Sequence, residues 1–173
     1  MSHLDELNRS PADDLRSRLL ALTASPAWAD GLLARRPYDD LDALLETSDE
    51  LVAGLSESQI DAALAGHPRI GERVAGSDAD SAARSAREQA GMARADASVQ
   101  VAMARSNADY EERFGRIYLV AAAGRSAEEL LGYLHERLDN DPGVELDVVR
   151  GELARITRLR LSELVGPTEK GGP

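Results

Sequence analysis

The chain has 173 residues, no cysteine, and a formal charge of −11 from 20 basic and 31 acidic side chains. That length is enough for one domain with a substantial core. The missing thiols exclude disulfide scaffolds, iron–sulfur centres, thiolate zinc sites and cysteine catalysis, and the acidity argues against nucleic acid or an anionic membrane as partner, since either requires a basic face. Lys170 is the sole lysine, so Schiff-base chemistry would have to rest on a residue in the C-terminal tail. Aromatic residues make up only 3%, which predicts an aliphatic, alanine-rich core. The segment from Met1 to Ser10 lacks an apolar signal core, and no apolar run approaches the roughly 18 residues that span a bilayer. The C-terminus carries no peroxisomal or lipidation signal. The expected compartment is the cytoplasm.

Taken in order, the elements read as helix after helix. Ser10-Pro11-Ala12-Asp13 places an N-cap candidate before a proline, and Leu15, Leu19 and Leu22 follow at helical spacing. Ser25-Pro26 repeats the device ahead of Trp28, Leu32 and Leu33, and Pro37 stops that helix. A third helix carries Leu41, Leu44, Leu45, Leu51 and Val52, with a break expected near Thr47-Ser48. A short helix opens at Ser56-Glu57 and turns Ile60 and Leu64 inward. It should end by Gly66, because Pro68 disfavours helical dihedrals at His67. A loop continues to about Asp80. A long alanine-rich helix is then expected from about Ser81 to about Phe114, in one or two pieces. Ile117 to Ala123 is a continuous apolar run whose periodicity does not separate strand, helix and extended chain. Ser126-Ala127-Glu128-Glu129 is a capping box before Leu130, Leu131, Leu134 and Leu138. The cluster Asp139 to Gly143 is a turn, and the last helix carries Leu146, Val149, Leu153, Ile156, Leu159 and Leu164. With no internal repeat or linker, this predicts a single all-α domain over 1–166. It would be a multi-helix bundle with a loop between helices as its candidate site, followed by a disordered tail over 167–173.

The chemistry-bearing residues are few. Of three histidines, His3 lies at a terminus, and His135 sits late in a helix where its cationic form suits the dipole. His67 lies in a loop between Gly66 and Pro68. On spacing alone it reads equally as part of a helix stop or as a functional loop residue. No metal is expected: there is no second histidine at ligand spacing and no hard-cation loop. Phosphate loops and serine-nucleophile elbows are missing too. Ser85, Glu88 and Gln89 lie three and four residues apart, which groups a hydroxyl, a carboxylate and an amide on one helix face. By composition, that pattern is more often a solvated face.

Three stretches in this order and spacing change the odds. They are Gly66-His67-Pro68-Arg69-Ile70-Gly71, then Ser85-x-x-Glu88-Gln89-Ala90-Gly91, then Asn107-x-x-Tyr110-x-x-x-Phe114-Gly115. Together they resemble the 2-oxo-4-hydroxy-4-carboxy-5-ureidoimidazoline (OHCU) decarboxylases of urate degradation, from about Asn8 to about Val165. Trp28, Arg36-Pro37-Tyr38, Gly124-x-Ser126 and Arg137-Leu138-x-Asn140 look like family features as well. The resemblance implies an all-α fold, no cofactor, often a homodimer, and conversion of a small ureidoimidazoline to (S)-allantoin with loss of carbon dioxide. It implies that His67 is the catalytic proton donor, with Glu88 as a second catalytic residue, and that Pro68 contacts the ligand. Ser85, Ala86, Arg87, Glu88 and Gln89 would bind the ligand. The backbone of Tyr118, Leu119, Val120, Ala121 and Ala122 would line the pocket.

These residue types suit the reaction. An enolate-like system in the substrate ring accepts the electrons left by carbon dioxide, so no external electron sink is required. Imidazole titrates near neutrality and can deliver the proton. Glu88 can orient His67 or bind a hydroxyl, Gln89 can both donate to and accept from a ureido group, and backbone N–H groups of 118–122 can meet carbonyl oxygens. The substrate carboxylate calls for an arginine, with Arg69, Arg87, Arg158 and Arg160 as candidates. Two other functions fit the residues: an all-α interaction module in which Gly66-His67-Pro68 only ends a helix, or a related enzyme acting on another ureide or hydantoin.

Overall fold

The computed structural model describes residues 3–72 and 79–166, without the side chains of Ala79 and Ser81. Among them are ten helices and no strand: α1 (His3–Arg9), α2 (Ala12–Leu20), α3 (Pro26–Ala34), α4 (Leu41–Ala53), α5 (Glu57–Leu64), α6 (Ala79–Glu88), α7 (Ala90–Ala93), α8 (Ala97–Phe114), α9 (Ala127–Leu138) and α10 (Pro142–Val165). The chain is all-α, as expected; the tail over 167–173 lies outside the described residues. By its contacts the chain divides into two compact units, one up to Ala63 together with the part from Ala154, the other Leu64–Leu153. None of the described helices is long and apolar enough to cross a membrane.

In the first unit α3 packs on α2 and α4. Ser25 caps α3 by accepting from the Trp28 N–H, with Pro26 in the first turn. Leu15, Leu19, Leu32, Leu44, Val52 and Ile60 are buried, and so is Trp28. The break expected at Thr47-Ser48 does not occur. Thr47 Oγ1 donates to the Ala43 carbonyl at 2.8 Å, and Ser48 Oγ accepts from the Trp28 indole at 3.0 Å. Both hydroxyls are therefore occupied without diverting the helix backbone. Ser10 does not cap α2. It ends α1 by donating to the Glu6 carbonyl at 2.8 Å, and Pro11 takes the N-cap position with no side-chain bond. His3, read from the sequence only as a terminal residue, has Nδ1 2.7 Å from the Gly166 carbonyl. Leu159 is 39% exposed, because Ile156, Thr157, Arg160 and Leu161 set the inward face of the final turns.

In the second unit α8 packs on α9. Its core joins Ile70, Met92, Met103, Tyr110, Tyr118, Val120, Leu130 and Leu134. The helix expected over 81–114 is split into α6, α7 and α8, one piece more than anticipated. At Gly91 a Cβ would lie 2.2 Å from the Arg125 carbonyl oxygen, so α7 presses directly on the backbone before α9. The apolar run after α8 is extended chain over 117–122, outside any sheet. The capping box at Ser126 is present, with both reciprocal bonds to Glu129 made.

Candidate active site

The loop that carries His67 begins where α5 ends. The His67 N–H donates to the Leu64 carbonyl at 2.9 Å, and Glu72 N–H donates to Arg69 O at 3.1 Å. His67 and Pro68 are half-buried, Ile70 is buried, and Arg69 and Gly71 are exposed. Gly71 has φ +87°, a left-handed conformation that favours glycine. Gln89 grips this loop with both ends of its amide: Oε1 accepts from Gly71 N–H at 2.9 Å, and Nε2 donates to Arg69 O at 3.4 Å. Asn107 Nδ2 donates to the intervening Ile70 carbonyl at 3.0 Å. The Arg69 guanidinium meets Glu111 through two parallel bonds, Nε to Oε1 and Nη2 to Oε2, the second at 2.9 Å. That contact is the main cause holding the Glu111 carboxyl below the ordinary range, against a smaller opposing effect of burial.

Ala82, Ser85 and Ala86 of α6 and Gln89 just after it recur at three- and four-residue spacing. With Gly71, Met92, Ala93 and Gln100 they line a cleft of about 470 Å³. Ser85 is buried there. A smaller cleft of about 210 Å³ shares Gly71, Glu72, Met92 and Gln100 with it and reaches Asn107 and Glu111 on α8. The first two sequence stretches thus meet: Ser85 and Gln89 share one wall with the loop that follows His67. Glu88 takes another direction. With Arg87 it lines a cleft of about 400 Å³ against Gly91, Arg94, Arg125, Ser126 and Glu128. Residues i+3 and i+4 straddle residue i on a helix, so a cleft on one flank of Ser85 takes Gln89 and the other flank takes Glu88.

The extended segment is held from behind. Leu119 O accepts from Arg137 Nη1 at 2.7 Å, and Ala121 N–H donates to Glu152 Oε2 at 2.7 Å. The Ala121 amide, expected to be open to a substrate oxygen, is therefore taken by a side chain of the protein. Tyr118 is buried, its hydroxyl donating to Leu130 O at 3.0 Å. Leu119, Val120 and Ala122 are buried, and Ala121 is half-buried. Arg137 lies over the Tyr118 ring, 4.7 Å from its centroid, and donates through Nε and Nη2 to Glu145 Oε1 at 2.8 and 2.6 Å. Tyr110 donates to the same carboxylate oxygen, and Asn140 Nδ2 donates to the other at 2.9 Å. Burial pushes both tyrosines above their ordinary range, and the hydrogen bond to Glu145 adds to this at Tyr110. For Arg137, burial opposes the charge, but the bond to Glu145, with Tyr110 and Tyr118 beside it, outweighs that effect.

Three of the four candidate arginines bond to other parts of the chain. Arg69 holds Glu111, Arg158 holds Asp49 at 2.6 Å, Arg160 donates to Leu22 O at 2.6 Å, and Arg87 is exposed. The buried arginine at the extended segment is Arg137, to which sequence reasoning gave no role. A signal was present: Leu130, Leu134 and Arg137 are spaced i, i+4, i+7 on the inward face of α9, and Glu145, Val149 and Glu152 repeat that spacing on α10. Among the described residues no group of three or more His, Cys, Asp or Glu side chains is placed to hold a metal.

Residues 8–162 match the OHCU decarboxylase family. The 2-oxo-4-hydroxy-4-carboxy-5-ureidoimidazoline decarboxylase of Mus musculus is 31% identical over 146 residues, covering 82% of this chain and 80% of that protein. That of Amia calva is 30% identical over 141 residues, covering 81% of each. A uric acid degradation bifunctional protein of Arabidopsis thaliana is 37% identical over 110 residues, 62% of this chain; the match spans only 34% of that longer protein, as it does in a Bacillus subtilis counterpart. The crystal structure of an OHCU decarboxylase in the presence of (S)-allantoin has the same fold, with a TM-score of 0.73 at 24% identity over 87% of this chain and 98% of that one. The chain belongs to the OHCU decarboxylase family.

Proposed function

We propose that this protein decarboxylates 2-oxo-4-hydroxy-4-carboxy-5-ureidoimidazoline to (S)-allantoin in urate degradation, with His67 as the proton donor. The observation that carries this reading is the double hydrogen bond from the Gln89 amide to the backbone of Arg69 and Gly71. It joins the loop that follows His67 to the Ser85 cleft, which supports one site for the two most specific stretches of the sequence. A cleft of about 470 Å³ suits a small ligand.

The chemistry divides among these residues. The bond between the ring and the carboxylate breaks, its electron pair passes into the ring as an enolate-like system, and carbon dioxide leaves. A proton from His67 then reaches one face of that system. Ser85 offers a hydroxyl to a polar edge of the ring. Gln89 keeps the loop in place and retains one amide N–H for the ligand. Glu88 and Arg87, on the neighbouring flank, act at the rim of the site. The reaction requires no cofactor. A homodimer and a cytoplasmic location go with this reading and are tested by sedimentation and by fractionation.

The test is a coupled assay in which freshly generated uricase product is followed by circular dichroism, because the uncatalysed reaction gives racemic allantoin. Faster appearance of the (S) product supports the assignment. Unchanged rate and handedness would refute it and leave another ureide as the substrate. His67→Asn should fold normally and lose about 10²-fold or more of the rate, the contribution usual for general acid–base catalysis. Full turnover in that variant would remove His67 from the mechanism.

A further inference from the structure

Asn107 belongs to the third sequence stretch, for which the proposed reaction supplies no role. It is 5% exposed on α8, at a position that packing alone would fill with an aliphatic side chain. A buried amide is costly unless it is hydrogen-bonded, and the bond it makes is to the carbonyl of Ile70. One turn along the same helix, Glu111 takes the Arg69 side chain. With Gln89 these residues bind three successive points of the loop backbone: Arg69 O, Ile70 O and Gly71 N–H. Between this fixed stretch and His67 stands Pro68, whose ring locks its own φ and restricts the histidine before it. The backbone at His67 is thus tied to α8 through few free torsions.

We propose that Asn107 is a positioning residue for the decarboxylation, holding the His67 loop in register with the Ser85–Gln89 cleft, with the Arg69–Glu111 pair as a weaker second fastener. This rests on the reading of His67 as the proton donor. A donor that must reach one face of a planar intermediate depends on placement. Loosening its loop therefore slows the chemical step and erodes handedness, while ground-state binding changes little.

The experiment compares Asn107→Ala and Asn107→Asp with Glu111→Ala, at a less buried position of the same helix. Asn107→Asp keeps the size but cannot donate to the carbonyl when ionised. The readouts are kcat, KM, enantiomeric excess of the allantoin and the thermal midpoint. Both Asn107 variants should lose about 10- to 100-fold in kcat, the cost of misplacement by about 1 Å, with KM little changed and reduced (S) excess. Glu111→Ala should show the same pattern at about threefold. In a His67→Asn background, Asn107→Ala should cause no further loss, because two residues acting through one group are not additive. Wild-type kcat in folded Asn107→Ala, a raised KM with kcat intact, or an undiminished loss in the His67→Asn background would each overturn the proposal. Should both Asn107 variants unfold, Glu111→Ala and its combination with His67→Asn decide by the same criteria. If His67→Asn retains full turnover, the catalytic role of His67 fails on its own account, and any loss in Asn107→Ala then counts against positioning as well.

Discussion

The two compact units are held together differently. In the first, α1–α5 and the last turns of α10 bury leucines, Trp28 and Ile60 at helical spacing. In the second, the segments that matter most are not helical, and polar side chains fasten them: Gln89 and Asn107 on the loop after His67, Arg137 and Glu152 on the extended chain. The physical reason is the backbone. A helix satisfies its own N–H and C=O groups, so an apolar stripe is enough to dock it. A loop or lone extended strand leaves those groups open, and where it is buried side chains must close them. The first unit obeys the same rule where it leaves the helix. After α3, Asn8 takes both the carbonyl and the N–H of Tyr38, each at 2.9 Å. Polar side chains that bond to backbone here therefore mark irregular chain, and in the second unit that irregular chain includes the candidate site.

The largest effect that sharpens this contrast belongs to Arg137→Met. Its partner Glu145 has a side chain only 1% exposed. Removing the cation strands a buried carboxylate at a cost of about 3–5 kcal/mol, measured by urea unfolding. The double variant Arg137→Met/Glu145→Leu should be more stable than the single one, since it removes the stranded charge along with the pair. Additive losses would mean that packing alone supports the extended segment, and the contrast between the units would collapse. A smaller effect is expected in the first unit for Ser48→Ala, which leaves the buried Trp28 indole N–H without its acceptor. The expected loss is about 1–3 kcal/mol. Turnover per folded molecule should not change, and a fall in it would show that the first unit also shapes the site.

How much of this was legible beforehand follows the same division. Helices announced by apolar spacing and by Ser25-Pro26 or Ser126-x-x-Glu129 are where the sequence puts them, because both signals are local. The loop at His67 was legible from glycine and proline. The split of the alanine-rich helix was not: α7 packs through Gly91 on the Arg125 carbonyl 34 positions away, a contact that leaves no mark in local sequence. Nor was the direction of Glu88. Three-residue spacing from Ser85 fits either flank of a helix, and only the neighbour on each flank decides which cleft receives it. Arg137, Glu145 and Glu152 sit at inward positions of their helices, yet a charged residue at such a position reads as solvated until its partner is known. The partners of the arginine candidates were illegible for the same reason: long-range pairs such as Arg158–Asp49 leave no mark in local sequence.

The finest test concerns the weaker fastener of the His67 loop and its dependence on pH. Glu111 titrates below the ordinary carboxylate value, first because Arg69 hydrogen-bonds its charged form. A carboxyl whose folded pKa is depressed adds stability that is fully present above its unfolded pKa, about 4.3. That contribution is lost as the pH falls through the lower folded value. Side-chain exposures of 44% and 29% keep the pair well solvated, so its net worth is at most about 1 kcal/mol and shrinks with added salt. Unfolding of wild type and Glu111→Gln should differ by that amount at neutral pH and low ionic strength, and the difference should close as the solution is acidified below the carboxylate range. If the gap instead persists at low pH and high salt, the contact holds the loop by shape and hydrogen bonding alone. The Arg69–Glu111 pair would then belong with the buried fasteners of the extended segment and not with the surface.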